Sequence, residues 1–293
     1  MSDKCIRRVL SWTGVVAAVA AWLATGSGCA ATGKSGSRIM PARDIIQVDR
    51  ILIIAHRGAS AYAPENTLAA FKLAIRQKAD LIEDDYHVSK DGKLIVIHDD
   101  TLDRTTDAVA KWGGEKIKVE TKTLDELRQL DAGSWKNHKY VGEKLPTFNE
   151  ATLTMLEGSV PLLERKGGTA AQTLADLQAI DAVEKVVVQA FEWEFLSELH
   201  QLEPKIVLGA LGGKELDETK IDQIKQTGAA VVGWEHKDLK PRDVKRLHAE
   251  GFRVWAWTVN DTEDIKRVVE MGVDGIITDR PAATRRIVEG LAQ

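Results

Sequence analysis

From residue 51 onward the chain alternates short runs of aliphatic and β-branched residues with amphipathic stretches of helical spacing. The short runs begin near Ile51, Leu81, Leu94, Val160, Lys185, Lys205, Ala230, Arg253 and Gly275. Strands separated by helix-length segments predict parallel strands joined by crossover helices. The second and third runs break this rule, because only Ser89, Lys90, Asp91 and Gly92 lie between them. Four residues are too few for a crossover and suit a hairpin turn with glycine last. The third run therefore folds back on the second, and setting it aside leaves eight strands, the number a closed barrel requires. The pattern predicts an α/β fold, a single (β/α)8 TIM-type barrel with an extra hairpin strand after the second barrel strand. Pairing Val88 with Lys93 across the turn places Asp85 opposite Val96 and Glu83 opposite His98, which returns His98 to a pair of carboxylates.

Size agrees with this reading. The 293 residues, 44% apolar and 29% charged, can bury one full core and fall within the range of one such barrel. The formal charge is −4, and −6 once residues 1–28 are set aside with their Asp3, Lys4, Arg7 and Arg8. A mildly acidic body without a basic stripe argues against nucleic acid as a partner, and no protein partner is implied.

The first thirty residues lie outside the alternation. Lys4, Arg7 and Arg8 precede an apolar stretch from Val9 to Ala24, followed by Thr25, Gly26, Ser27, Gly28 and Cys29. This is the order of an export signal, and the apolar stretch falls short of the ~20 residues of a spanning helix. Residues 1–28 are read as the signal, 29–45 as a linker or lipid tether, and 46–293 as the barrel domain, outside the cytoplasm. Cys5 and Cys29 are the two cysteines of the chain, so the mature body forms no internal disulfide. Ser27-Gly28-Cys29 resembles the end of a bacterial lipoprotein signal, in which the cysteine becomes the lipidated first residue, although Gly26 departs from the aliphatic residue usual there. A periplasmic protein and a lipoprotein tethered to the membrane through Cys29 both remain open.

Candidate chemistry collects where barrel strands end. The run Ile51 to Ala55 leads straight into His56-Arg57-Gly58, and polar residues at the carboxyl end of a barrel strand are where this architecture keeps its active sites. His56 is a candidate base and Arg57 a phosphate fork, against a satisfied histidine beside a surface arginine. Pro64-Glu65-Asn66-Thr67 opens a helix; helix capping explains it, with Glu65 pointing at the site as the alternative. On the next strand Glu83 and Asp85 share a face, and an inward pair of carboxylates needs a compensating cation. Asp84 would face the helices or a neighbouring strand, an unusual place for a charge. Glu164 and Lys166 share a face in the same way on the Val160 strand. Carboxylate-only ligation by Glu83, Asp85 and Glu164 suits Ca²⁺ or Mg²⁺ rather than zinc; an ordinary strand ending in charges is the alternative. Trp257, in Trp255-Ala256-Trp257, either fills the core or lines a pocket.

Taken together, these pieces resemble the glycerophosphodiester phosphodiesterase family in its compact bacterial form. The match runs from about Ile53 to Pro281, with His56-Arg57-Gly58, Pro64-Glu65-Asn66-Thr67, Glu83 with Asp85, His98-Asp99, Glu164 with Lys166, and Trp257-Thr258-Val259-Asn260 in family order. The resemblance implies metal-dependent hydrolysis of glycerophosphodiesters to an alcohol and sn-glycerol 3-phosphate, within glycerophospholipid metabolism. It implies His56 and His98 as the acid–base pair, Glu83, Asp85 and Glu164 as metal ligands, and Arg57 and Lys166 as phosphate contacts. With His56 adjoining Arg57, His56 is expected as base and His98 as acid. The chain departs from the family pattern at Tyr86, at Arg165 and at Gln189-Ala190-Phe191, which bears on substrate preference. A lysophospholipid-cleaving relative, favoured by a long apolar pocket beside Trp257, and a binding protein that keeps the barrel without turnover are the competing expectations.

Overall fold

The computed structural model describes residues 40–291; the expected export signal, Cys29 and the start of the tether lie outside the described residues. Nine strands form one sheet: β1 (Leu52–Ala55), β2 (Leu81–Val88), β3 (Leu94–Val96), β4 (Val160–Arg165), β5 (Val187–Ala190), β6 (Val207–Gly212), β7 (Val231–Glu235), β8 (Arg253–Trp257) and β9 (Gly275–Thr278). Their order is β1-β9-β8-β7-β6-β5-β4-β2-β3, and β1 also pairs with β2. Eight parallel strands therefore close a ring, with β3 antiparallel on the outside of β2. Each strand starts within two residues of its expected place, because β-branched runs between amphipathic helices leave the backbone little alternative.

The hairpin register differs from the expected one by a residue: Val88 pairs with Leu94, His87 with Ile95 and Tyr86 with Val96. Lys93 belongs to the turn. Its carbonyl accepts from the Ser89 N–H and its own N–H donates to Ser89 Oγ, at 2.8 and 2.9 Å. Closure by the serine hydroxyl lengthens the loop by one residue, so Glu83 does not face His98 and Asp85 does not face Val96. His98 still reaches the carboxylates. Beyond Val96 the chain bends, Ile97 donates to the Asp85 carbonyl at 2.9 Å, and His98 follows at the mouth of the barrel.

Side-chain alternation divides the core into two layers. Leu52, Ile54, Leu81, Val160, Leu162, Val187, Val231, Trp255 and Ile277 fill the lower barrel interior. Ile82, Tyr86, Leu163, Val188, Val254, Ala256 and Ile276 face outward onto the helices. The short helix Ala42–Ile45 plugs the amino end of the barrel, burying Ala42, Ile45 and Ile46 against the interior cluster. The barrel therefore begins before residue 46, inside the stretch read as a tether, because these apolar side chains have an open barrel end to cover. Residues 99–146 contribute no ring strand and pack on a small cluster of their own around Ile95, Leu102, Val119 and Leu130. Among the described residues no helix is long and apolar enough to cross a membrane.

Candidate active site

Along β2, β4 and β5 the inward residues change from apolar at the amino end to polar at the carboxyl end: Leu81 to Glu83 and Asp85, Leu162 to Glu164, Val187 to Gln189. The turn after β1 completes this polar floor. Arg57 takes a left-handed conformation, φ 54, and Gly58 follows with φ 80. A side chain at Gly58 would meet Ala70 at 2.7 Å, so only glycine lets the turn lie against the helix Leu68–Arg76. The turn directs the Arg57 N–H onto Glu83 Oε2 at 2.6 Å. Pro64-Glu65-Asn66-Thr67 does more than start that helix. Thr67 caps it, while Asn66 donates to Asp85 Oδ2 at 2.9 Å and accepts from the Asp85 N–H.

Glu83, Asp85 and Glu164 are all buried, and each offers an oxygen within 4.8 Å of the others. Arg57 Nε and Lys166 Nζ each lie 3.3 Å from Asp85, and Lys166 also contacts Glu164. Burial would raise Asp85, but Arg57 and Lys166 outweigh it and hold the carboxyl below its ordinary value. The other two are not so compensated. Burial and the neighbouring Asp85 push Glu164 up to about 7, and burial with the charges of Asp85 and Glu164 raises Glu83 well above its range. Glu83 Oε1 is buried without a hydrogen-bond partner among the described residues. Three converging carboxylates, one with an orphaned oxygen, are a set of oxygen donors of the kind a hard divalent cation takes. Asp84 points the other way, as alternation requires. It is fully buried, neither of its carboxyl oxygens has a partner among the described residues, and burial raises it well above its range; nothing in the structure explains it.

An aspartate holds each of the two histidines. His56 Nδ1 lies 2.7 Å from Asp279 Oδ1, and Asp279 also accepts from Ser60 and Asn260. Burial would raise Asp279, but these contacts, led by His56, bring it down to about 2. His98 Nδ1 lies 2.7 Å from Asp99 Oδ1. Arg104 donates twice to Asp99 and twice to Glu65, and Glu65 accepts in turn from Arg57 at 2.8 Å. A charged chain thus runs from His98 through Asp99, Arg104 and Glu65 to Arg57. Burial lowers His98 below the ordinary histidine value, since Arg57 and Lys166 largely offset the pull of Asp85 and Asp99.

Two cavities meet at Arg57. The smaller, about 140 Å³, is lined by Asp85, His98, Glu164, Lys166, Phe191 and Trp257 among others. The larger, about 390 Å³, is lined by His56, Glu65, Trp135, Lys136, Asp279 and Arg280 among others. The structure thus brings together every candidate residue named from the sequence within its described part. Glu65 faces the site rather than only opening a helix. Trp257 lines the smaller cavity edge-on to Phe191, 5.6 Å between ring centroids, whereas Trp255 is core. Of the departures from the family pattern, Gln189 and Phe191 touch this cavity. Tyr86 packs outward on Phe148, and Arg165 lies over Phe195 on the helix side. Sequence reading gave no role to Asp279, Asn260, Asp99, Asn66 or Arg104. Asp279 was accessible to it, being two residues beyond inward Ile277; Arg104 carries no local signal.

Comparison with known proteins agrees with this arrangement. Residues 56–283 match the model of the glycerophosphoryl diester phosphodiesterase family. A glycerophosphodiester phosphodiesterase of Bacillus subtilis is 34% identical over 270 residues, covering 84% of this chain and 89% of that protein. One from Caldanaerobacter subterraneus is 34% identical over 246 residues, covering 82% and 98%. Among solved structures, an Oleispira antarctica phosphodiesterase in complex with the product sn-glycerol-3-phosphate aligns with a TM-score of 0.74 and 29% identity, covering 81% of this chain and 96% of that one. The fold, the order of the motifs and these matches place the chain in the glycerophosphoryl diester phosphodiesterase family.

Proposed function

We propose that the protein hydrolyses glycerophosphodiesters to an alcohol and sn-glycerol 3-phosphate, with a divalent cation held by Glu83, Asp85 and Glu164. The observation that carries this reading is the buried carboxylate triad, flanked by Arg57 and Lys166 and by two aspartate-held histidines. Family membership and the product in the Oleispira antarctica neighbour support it. Ca²⁺ and Mg²⁺ both suit an all-oxygen donor set. A bound cation of this kind adds positive charge where the phosphoryl oxygens develop negative charge.

The chain's own groups account for the rest of the chemistry. Arg57 and Lys166 neutralise the diester anion in a site with little water to screen them. One neutral imidazole takes the proton of the attacking hydroxyl, the glycerol's own neighbour, as that oxygen bonds to phosphorus. The other imidazole, protonated, gives its proton to the departing alkoxide as the phosphorus–oxygen bond breaks. Water then opens the cyclic phosphate by the reverse use of the same pair. Two observations support His98 as base and His56 as acid, the reverse of the division expected from the adjacency of His56 and Arg57. Burial favours neutral His98, and His98 lines the smaller cavity, which suits glycerol, while His56 lines the larger one, where a variable alcohol has room.

A lysophospholipid reading loses support, because a cavity of about 140 Å³ beside Trp257 is far too small for an acyl chain. The test is release of glycerol 3-phosphate from a panel of glycerophosphodiesters and lysolipids, with and without EDTA. Turnover of lysolipids alone, or full activity in chelator, overturns the proposal.

Export is proposed on the order of basic, apolar and small residues before Cys29. Mass spectrometry is expected to find a mature amino terminus at or near Cys29, and an intact chain from Met1 in the cytosol would refute it. Release from membranes on Cys29→Ala is the result expected of a lipidated protein.

A further inference from the structure

We infer that the larger cavity is the subsite of the departing alcohol and that it selects alcohols bearing an anionic group, a phosphomonoester or a carboxylate. The inference rests on the proposed hydrolysis and deepens it. The cavity borders the reaction centre, since Arg57 and His56 form part of its wall. Its acids are already engaged. Both oxygens of Glu65 accept from arginine, and Asp279 accepts from His56, Ser60 and Asn260.

Its outer cations are not engaged in this way. Lys136 Nζ donates to the Ser60 carbonyl at 2.7 Å, and among the described residues neither Lys136 nor Arg280 has a carboxylate partner. An ammonium with three donors and one neutral acceptor retains donors for a ligand. A bound alcohol therefore meets a wall on which Arg57, Lys136 and Arg280 outnumber Glu65 and Asp279.

The aromatic wall points the same way. A choline head group is recognised by the face of an aromatic ring. Trp135, 37% exposed at the cavity, already has Lys136 Nζ 5.7 Å from its ring centroid. A quaternary ammonium there would meet a like charge, which acts against that substrate class.

The experiment compares kcat/KM for glycerophosphocholine, glycerophosphoinositol with its uncharged head group, glycerophosphoinositol 4-phosphate and glycerophosphoglycolate, using cation-loaded enzyme. The wild type is expected to prefer the two anionic head groups over choline by about tenfold, the scale of one charge-assisted hydrogen bond. Raising ionic strength should shrink that ratio. Lys136→Ala and Arg280→Ala should each reduce it, and Lys136→Glu should invert it. Each ratio is read on one preparation, so a partly folded variant still reports. Equal turnover of anionic and choline substrates, or a ratio that survives Lys136→Glu, overturns the inference while release of glycerol 3-phosphate leaves the proposed hydrolysis standing. Release from none of the four overturns both.

Discussion

Arg104 and Glu65, thirty-nine residues apart, are joined by two hydrogen bonds of 2.8 Å. Through this pair the aspartate that holds His98 is connected to the arginine beside the carboxylate cluster. Arg104 touches neither cavity wall nor reacting atoms, so its expected effect is on position. A fork that grips two carboxylates at once cannot be replaced by the single ammonium of lysine. Arg104→Lys and Arg104→Ala should therefore both lower kcat, by up to ~10²-fold, the scale associated with a misplacement of about 1 Å. KM should move far less, and Arg104→Lys should retain full activity only if the pair merely stabilises the loop.

The bond from Asp279 to His56 makes a second prediction. Asp279 fixes which ring nitrogen carries the proton, leaving the other to face the substrate. Asp279→Asn keeps the shape but can offer the ring an amide NH2 in place of the carboxylate acceptor, so the imidazole loses its fixed tautomer and orientation. Loss of kcat by ~10²–10⁴-fold is expected if His56 is the acid. Intact kcat in Asp279→Asn would reduce Asp279 to a structural residue.

Periodicity made most of this arrangement legible. Two-residue alternation put Glu83 with Asp85 and Glu164 with Lys166, and the short link at Ser89–Gly92 separated the hairpin strand from the eight of the ring. What escaped depended on contacts that period does not encode. The hairpin slipped by one because the Ser89 hydroxyl closes the turn, a side-chain effect inside a loop whose length alone looked decisive. Ala42 and Ile45 fall in the stretch expected as tether because so short an apolar group has no amphipathic pattern until the barrel end it covers is known. Arg104 belongs to the irregular segment after β3, where no period exists, and its partners are distant in sequence.

Protons and a cation compete for the same oxygens. With no cation bound, Glu164 titrates near 7 and burial holds Glu83 well above the ordinary carboxylate range, so both lie above their values in an unfolded chain. Stability from the protonated forms is therefore fully present below the unfolded value and is lost as pH rises through about 7. In EDTA, the melting temperature should fall from about pH 5 to about pH 8, and Glu164→Gln should flatten that slope. Added Ca²⁺ or Mg²⁺ should raise it more at the upper end, because binding displaces protons from the ligands. A cation-induced shift that is the same at both ends would contradict ligation by Glu83 and Glu164.

The division of labour between the histidines is separable by the leaving group. A general acid matters most when the departing alcohol is strongly basic, whereas nitrophenolate departs with little protonation. His56 lines the cavity assigned to that alcohol, and His98 lines the one that suits glycerol and its attacking hydroxyl. His56→Ala should therefore lose ~10²–10⁴-fold on glycerophosphocholine and far less on a glycerol nitrophenyl phosphate. His98→Ala, lacking the base, should fail on both, since activating the hydroxyl does not depend on what leaves. The opposite pattern would restore the assignment expected from the adjacency of His56 and Arg57, with His56 as base. Full activity of both variants on both substrates would remove the histidine pair from the mechanism, leaving Arg57, Lys166 and the carboxylate cluster to account for turnover.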